Sequence, residues 1–299
     1  MGKKIRKVIQ AASGLLSNGY LKGFVTGRIY QGKLKHVCVP GMNCYSCPGA
    51  LGACPIGAMQ AVIAGRQRKF PLYVFGFLAT VGLLVGRFIC GWLCLFGLLQ
   101  ELLYRIPTPK IKVPEKADRI LRYLKYAVLL LLVIVLPFAV RDAFGLGEPF
   151  FCKYLCPVGT LEGGVPLVLL QKGLRRTLGW LFAWKFVLLL LCIASSVFIY
   201  RPFCKYICPL GAFYALFQKV SILRLALNDT ACVHCGACAR KCPMQVDPSH
   251  TPNSAECIRC GECVEVCPEG ALQFGVLGKK KTEQTPAEET GDKLGERRI

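Results

Sequence analysis

Apolar residues run almost unbroken through residues 71–86, 123–140 and 178–200, and polar residues crowd the intervals between them. That is the pattern of membrane-spanning helices, which bury every backbone polar group within the segment. The first two stretches are short against a hydrocarbon layer about 30 Å thick, so crossing calls for local thinning or snorkelling flanks. Residues 8–30 form a fourth apolar stretch interrupted by Asn18, Lys22 and Arg28. It reads either as a poor first span or as an amphipathic helix on the membrane surface. Residues 88–103 and 159–171 are apolar but too short to cross, and suit interfacial or re-entrant elements. After Lys219 the character changes: residues 223–274 read as a small soluble module, and residues 279–299 as a charged, aromatic-free tail expected to be disordered.

Composition supports lipid contact, with 54% hydrophobic against 18% charged residues in 299. The excess of 38 Lys and Arg over 17 Asp and Glu, +21 formally, is what cytoplasmic loops of a membrane protein collect, and nucleic acid is not an expected partner. On a four-span topology, one side, with the N-terminus and the segments at 101–125 and 201–224, carries 15 Lys and Arg against 10 on the other. Both termini are therefore expected on the cytoplasmic side of a multi-pass cell (plasma or inner) membrane protein. The basic start at residues 1–7 leads into a polar-interrupted segment without a small-residue cleavage site, so no secretory signal is read there.

The 19 cysteines are clustered. Cys232, Cys235, Cys238 and Cys242, followed by Pro243, form a C-x2-C-x2-C-x3-C-P run, and Cys257, Cys260, Cys263 and Cys267, followed by Pro268, repeat it. This is the bacterial two-cluster ferredoxin spacing, in which three close thiolates wrap one [4Fe–4S] cube and the fourth cysteine ligates the other. The expected sets are Cys232, Cys235, Cys238 with Cys267, and Cys257, Cys260, Cys263 with Cys242. Structural zinc through paired C-x-x-C does not ask for this pattern twice over. His36, His234 and His250 have no partners at metal-ligand spacing, which argues against haem or catalytic zinc. A cytoplasmic, reducing location keeps these thiols free for iron.

Four further elements place a glycine three residues after a cysteine: Cys54–Gly57, Cys94–Gly97, Cys156–Gly159 and Cys208–Gly211. In the last three, a partner cysteine stands four residues earlier, as Cys90, Cys152 and Cys204. This is an internal repeat. One such pair offers two thiolates, too few for a cubane, so pairs must meet.

The run Gly86-Arg-Phe-Ile-Cys-Gly-Trp-Leu-Cys94, the run Arg201-Pro-Phe-Cys-Lys-Tyr-Ile-Cys-Pro-Leu-Gly-Ala-Phe213 and the cysteine-rich module together resemble the NapH and NosR group of membrane-bound polyferredoxins, across about residues 70–275. The resemblance implies a multi-span anchor whose iron–sulfur clusters carry electrons between quinol and a partner reductase or flavoprotein. Leu95 stands where that group usually has proline, and Cys38, Cys44, Cys47, Cys54, Cys152 and Cys156 exceed its two-pair pattern.

The expected architecture is thus membrane α-helical, with about four transmembrane helices in residues 1–222, a C-terminal α+β two-cluster ferredoxin-like domain at 223–278, and the tail at 279–299. On that topology Cys90, Cys94, Cys204 and Cys208 share an inner-side cluster. Cys152 and Cys156 with two of Cys38, Cys44, Cys47 and Cys54 make another at the outer edge, the Cys-Pro-x-Gly likeness favouring Cys47 and Cys54. The alternative is three disulfides on an oxidising side. Two [4Fe–4S] clusters are the floor and four the preferred count. Cys192, alone in an apolar span, reads as packing. Arg87, Lys185 and Glu162 are ionisable at or near membrane depth and are either functional or snorkelling. With neither a Rossmann fingerprint nor a P-loop, any flavin belongs to a partner. The expected function is electron transfer between the membrane quinol pool or a flavin-bearing redox partner and a terminal reductase, as a subunit of an oxidoreductase complex. The alternative is a redox-linked regulator or metallo-enzyme assembly factor. A transporter would need paired broken helices at the midplane, which are absent.

Overall fold

The N-terminal apolar stretch breaks in two at Asn18–Tyr20. A helix α1 (Lys3–Ser17) is followed by a short α2 (Leu21–Thr26) that ends at Gly27 in the left-handed conformation. At 1.5 Å per residue, α1 is about 22 Å long, less than a span needs. It turns its polar side inward. Arg6, Gln10 and Gly14, four residues apart, are buried, and Gly14 lies against Leu95, while Val8, Leu15 and Leu16 face outward. The protein is described here by a computed structural model at residues 2–67, 69–176 and 178–276; the tail expected at 279–299 lies outside the described residues.

After a cysteine-bearing loop, α3 (Pro55–Ile63) and α4 (Leu72–Val85) pack as a pair. Nearly every residue of α4 is apolar, and its Val74, Leu78 and Gly82 are buried; Gly82 meets the ring of Phe217. The helix stops at Gly86, whose φ of +53° suits glycine, and a side chain there would collide with the Gln218 amide. Two short helices, α5 (Phe88–Trp92) and α6 (Leu95–Leu103), follow.

The next helix, Glu115–Ala139, starts after Pro114 with Glu115 and Asp118 in its first turn, where acidic side chains oppose the helix dipole. It widens into π-helical turns over Val128–Val135. The chain then folds back, with Arg141 donating to the carbonyls of Ile63 and Gly65. A short helical turn at Phe151–Leu155 leads to the Gly159–Leu170 helix and then to Trp180–Phe198. Among the described residues, Glu115–Ala139 and Trp180–Phe198 are long and apolar enough to cross a membrane; Leu72–Val85 and Gly159–Leu170 are shorter apolar helices.

Pro202–Tyr206 and Pro209–Phe217 complete this part and lead into the C-terminal module. There β1 (Leu223–Leu227) and β2 (Leu272–Val276) pair antiparallel, with Leu225 opposite Phe274. Two short helices, Ala237–Lys241 and Glu262–Val266, pack on one another, and each follows a left-handed glycine, Gly236 or Gly261. Leu225, Cys238, Cys263 and Leu272 form the module's own small core.

Candidate metal centres

In the C-terminal module the chain folds around two cavities. One is lined by Cys232, Cys235, Cys238 and Cys267, and the other by Cys242, Cys257, Cys260 and Cys263. The fourth cysteine of each run thus stands with the first three of the other. The two halves repeat each other in backbone as well: His234 and Arg259 occupy corresponding positions and both have positive φ. Cys235 is exposed, so the first cavity faces outward. The second is turned toward the helices. Trp92 Nε1 donates to the Arg259 carbonyl at 2.9 Å, Arg259 donates to the Val85 carbonyl at 2.8 Å and to Ser221 Oγ at 2.7 Å, and Gln218 donates to the Cys257 carbonyl at 2.8 Å.

Directly beyond that contact lie Cys90, Cys94, Cys204 and Cys208, all buried and within electrostatic reach of one another. Cys94 and Cys208 stand at the N-caps of their helices, and the backbone N–H of Gly211 donates to the Cys208 sulfur. Gln100 closes one side, its amide N donating to Cys204 Sγ at 3.1 Å and its amide O accepting from Phe203 N at 3.2 Å. Two guanidiniums brace the set reciprocally. Arg87, three residues before Cys90, donates to the Cys204 carbonyl, and Arg201, three residues before Cys204, donates to the Cys90 carbonyl.

A second set is built by the same rule. Gln60 donates to Cys152 Sγ at 3.3 Å and accepts from Phe151 N at 3.0 Å. A glycine N–H again points at sulfur, from Gly159 to Cys156. The fourth thiol facing Cys54, Cys152 and Cys156 is that of Cys44. Its sulfur lies against Gly159 and Gly163, and its N–H donates to the Glu162 carboxylate at 2.7 Å. Cys47, placed in this set by its sequence, instead stands beside Lys35. Cys38 pairs its backbone with Ala53 and lies near Cys54. Cys192 packs against the core within the Trp180–Phe198 helix. All 19 cysteines stand as free thiols.

The two sets are neighbours, where opposite membrane edges were expected. Gly41 approaches Cys94, Met42 N–H donates to the Cys94 sulfur, and the Tyr214 hydroxyl donates to the Pro40 carbonyl at 2.9 Å. The Tyr214 phenol is within electrostatic reach of Cys90 and Cys94 and also of Cys38 and Cys54. The N-terminal stretch breaks into two helices, each shorter than a span needs, and the loop at 38–54 packs beside Cys94.

A family described as "4Fe-4S binding domain" matches residues 52–73, 70–114, 126–176 and 180–227, and a second of the same description matches residues 250–273. The first covers more than half of the chain, and each of its matches contains one Cys-x-x-Gly element. The chain belongs to the 4Fe-4S binding-domain family. It is 32% identical over 211 residues to an uncharacterized protein of Methanocaldococcus jannaschii, covering 69% of this chain and 79% of that one. It is 31% identical to the regulatory protein NosR of Pseudomonas aeruginosa over 56% of this chain and 22% of NosR. It is also 29% identical to the methylamine utilization ferredoxin-type protein MauN of Methylobacillus flagellatus, over 63% of this chain and 60% of MauN. No solved structure matches.

The residues of this 4Fe-4S binding-domain protein fit the group that its family implies. Among the described residues no three Cys, His, Asp or Glu close on a point as a single metal ion requires. In the C-terminal module the cysteines instead surround two cavities in fours. Burial pushes the Cys204, Cys152 and Cys44 thiols up to about 12, with neighbouring cysteines adding to the first two. Such thiols stay protonated unless iron displaces the proton. Arg87 Nε and Arg201 Nε are buried donors with no partner, on guanidiniums within electrostatic reach of Cys90 and of Cys94 and Cys204. A negatively charged cluster answers both. The sequence reading missed Gln60, Gln100, Glu162's carboxylate bond and Tyr214 as parts of the sites. All four stand six residues after the repeat cysteine, and that spacing was the signal available.

Proposed function

We propose that this chain is a membrane-anchored electron-transfer protein with four [4Fe–4S] clusters. The ligand sets are Cys232, Cys235, Cys238 and Cys267; Cys242, Cys257, Cys260 and Cys263; Cys90, Cys94, Cys204 and Cys208, the inner tetrad; and Cys44, Cys54, Cys152 and Cys156, the outer tetrad. Cys44 takes the place given to Cys47 from the sequence. Clusters bound there would accept and release electrons one at a time, at potentials set by burial, charge and hydrogen bonds to sulfur. The observation that carries this reading is the succession of four groups of four free cysteines, each group adjoining the next, from the exposed Cys235 to the buried outer tetrad.

The protein's own residues have three tasks in this reading. Glycine N–H groups and the Gln60 and Gln100 amides orient and stabilise thiolates. Arg259, Trp92 and Gln218 hold the ferredoxin-like module (residues 223–278) at a fixed distance from the inner tetrad. The Glu115–Ala139 and Trp180–Phe198 helices anchor the whole in lipid, with the ferredoxin-like module cytoplasmic. The outer tetrad would exchange electrons with the membrane quinol pool or a flavin-bearing partner, and the exposed Cys235 end with a terminal reductase or other redox subunit.

Anaerobic purification with iron and acid-labile sulfide counting tests this. About 16 of each per chain are expected, taking four per cubane. Stoichiometric zinc without labile sulfide refutes the reading, and about eight of each refutes the two membrane tetrads.

A further inference from the structure

The inner and outer tetrads are built to one plan and receive the same hydrogen bonds, a glutamine amide on one cysteine and a glycine N–H on another. They differ in charge. In the inner tetrad the two repeat glycines make room for guanidiniums: a side chain at Gly97 would meet Arg201, and one at Gly211 would lie against Arg87. In the outer tetrad the equivalent glycines, Gly57 and Gly159, face the sulfurs of Cys152 and Cys44. Arg87 and Arg201 are both 0% exposed, so solvent does not screen them.

Their carboxylate partners do not cancel them. Glu101 is shared between Arg6 and Arg201, Glu256 between Arg87 and Lys125, and Asp118 between Lys205 and Arg122. Arg6 also lies 3.8 Å from Glu262, so the surplus beside the inner tetrad comes from the Glu256 and Asp118 groups, one cation each. The outer tetrad has Lys35 near Cys44, Lys185 donating to the Cys152 carbonyl, and the buried Glu162 opposing them. A nearby cation stabilises the more negative, reduced state of a cluster and raises its potential.

We infer that Arg87 and Arg201 are positioning residues that hold the inner tetrad at a higher reduction potential than the outer one, so that an electron shared between them rests on the inner. The balance is internal: one electron leaves a reduced cluster on the outer tetrad, oxidising it, and reduces an oxidised cluster on the inner. This inference rests on the reading that both tetrads carry clusters.

The test is an EPR-monitored redox titration of the whole detergent-solubilised chain. Cys94→Ser with Cys208→Ser identifies the inner signal by its loss, and Cys152→Ser with Cys156→Ser the outer. In the wild type the inner signal should have the higher midpoint. In Arg201→Met it should fall so that the reduced-to-oxidised ratio at the wild-type midpoint drops at least tenfold, which is 59 mV for one electron. Arg201→Lys should retain most of the wild-type value, which a loss of packing would not explain. If Arg201→Met does not retain its iron, Arg87→Met and Arg87→Lys are read the same way. Equal midpoints, an outer signal above the inner, or an unmoved midpoint in a variant with full iron content overturns the inference. A wild type whose iron corresponds only to the ferredoxin-like module instead overturns the reading on which it rests.

Discussion

Replacing Gln100 by leucine keeps nearly the same volume but removes both ends of an amide clamp. The amide is buried and makes two bonds to the neighbouring segment, 3.1 Å to Cys204 Sγ and 3.2 Å from Phe203 N. Losing the acceptor leaves the Phe203 N–H without this partner, at a cost of about 1–3 kcal/mol. Losing the donor removes a bond that strengthens as the cluster on Cys204 gains charge. If the reduced state gains about 1 kcal/mol more from that bond than the oxidised state, the midpoint falls by about 40 mV at 59 mV per tenfold. The repeat provides an internal control, because Gln60 holds Cys152 and Phe151 in the same way. Gln100→Leu should lower only the inner midpoint and Gln60→Leu only the outer, each with full iron content. Chemical denaturation followed by cluster absorbance reads the stability cost. If Gln100→Leu leaves the inner midpoint within 10 mV (roughly 0.2 kcal/mol), the amide does not act on sulfur and is only a packing group.

Cys94→Ser with Cys208→Ser should lose about four iron and four sulfide per chain, one cubane's worth, and leave the EPR of the ferredoxin-like module unchanged; unchanged iron would make these cysteines structural. Burial alone would raise the Glu101 carboxyl, but Arg201, Arg6 and Tyr200 outweigh it and hold it at about 2 against an ordinary 4.5. That difference contributes about 3 kcal/mol to folding, fully present above pH 4.5 and lost as pH falls toward 2. Glu101→Gln should therefore cost about 3–5 kcal/mol at pH 7 in denaturant titrations, since it leaves Arg6 and Arg201 buried without their anion; a cost below about 1 kcal/mol would contradict the ion-pair account. Gly86→Ala should strain a φ of +53° and push on the Gln218 amide, which holds Arg87 N and the Cys257 carbonyl. Limited proteolysis should then release the C-terminal module faster than in the wild type.

Much of the chemistry was readable because iron–sulfur ligation constrains spacing so tightly. The two C-x2-C-x2-C-x3-C-P runs and the Cys-x-x-Gly repeat are local patterns, visible without knowing how the chain folds. What depended on topology was less legible. Counting 8–30 as a possible span put Cys38–Cys54 and Cys90–Cys94 on opposite sides, whereas the break at Asn18–Tyr20 leaves them side by side. Hydropathy could not show which side faces inward: α1 turns Arg6 and Gln10 into the fold and its leucines outward. The choice between Cys44 and Cys47 was equally hidden. Both lie in one loop, and what favours Cys44 in the proposed set is Glu162, 118 residues later, which takes its N–H. The buried ion pairs Arg6–Glu101, Arg87–Glu256 and Lys205–Asp118 join residues about 90 to 170 positions apart and leave no local trace.

In the proposed reading the repeat explains how four short helical elements, none able to hold a cluster alone, build two cages with only Cys44 added from the loop at 38–54. Cysteine at the N-cap places sulfur where the helix N–H groups point, and this favours the thiolate. Proline at the first helical position, as Pro55 and Pro209, presets the backbone without sacrificing a hydrogen bond. Glycine three residues on leaves space for a group from the facing element, and the residue six positions on reaches across to that element's backbone or sulfur. Gln60 and Gln100 reach the element before the facing cysteine pair, whereas Glu162 and Tyr214 reach the loop at 38–54. The first two positions make equivalent contacts in both tetrads, so they hold sulfur in a shared way. The other two have diverged, one to a carboxylate at Cys44 and one to a phenol lying between the tetrads' cysteines. Whatever distinguishes the two clusters must therefore come from positions where the copies differ: the glutamate and tyrosine, and the arginines that precede Cys90 and Cys204 but have no counterpart before Cys152, where Pro149 stands.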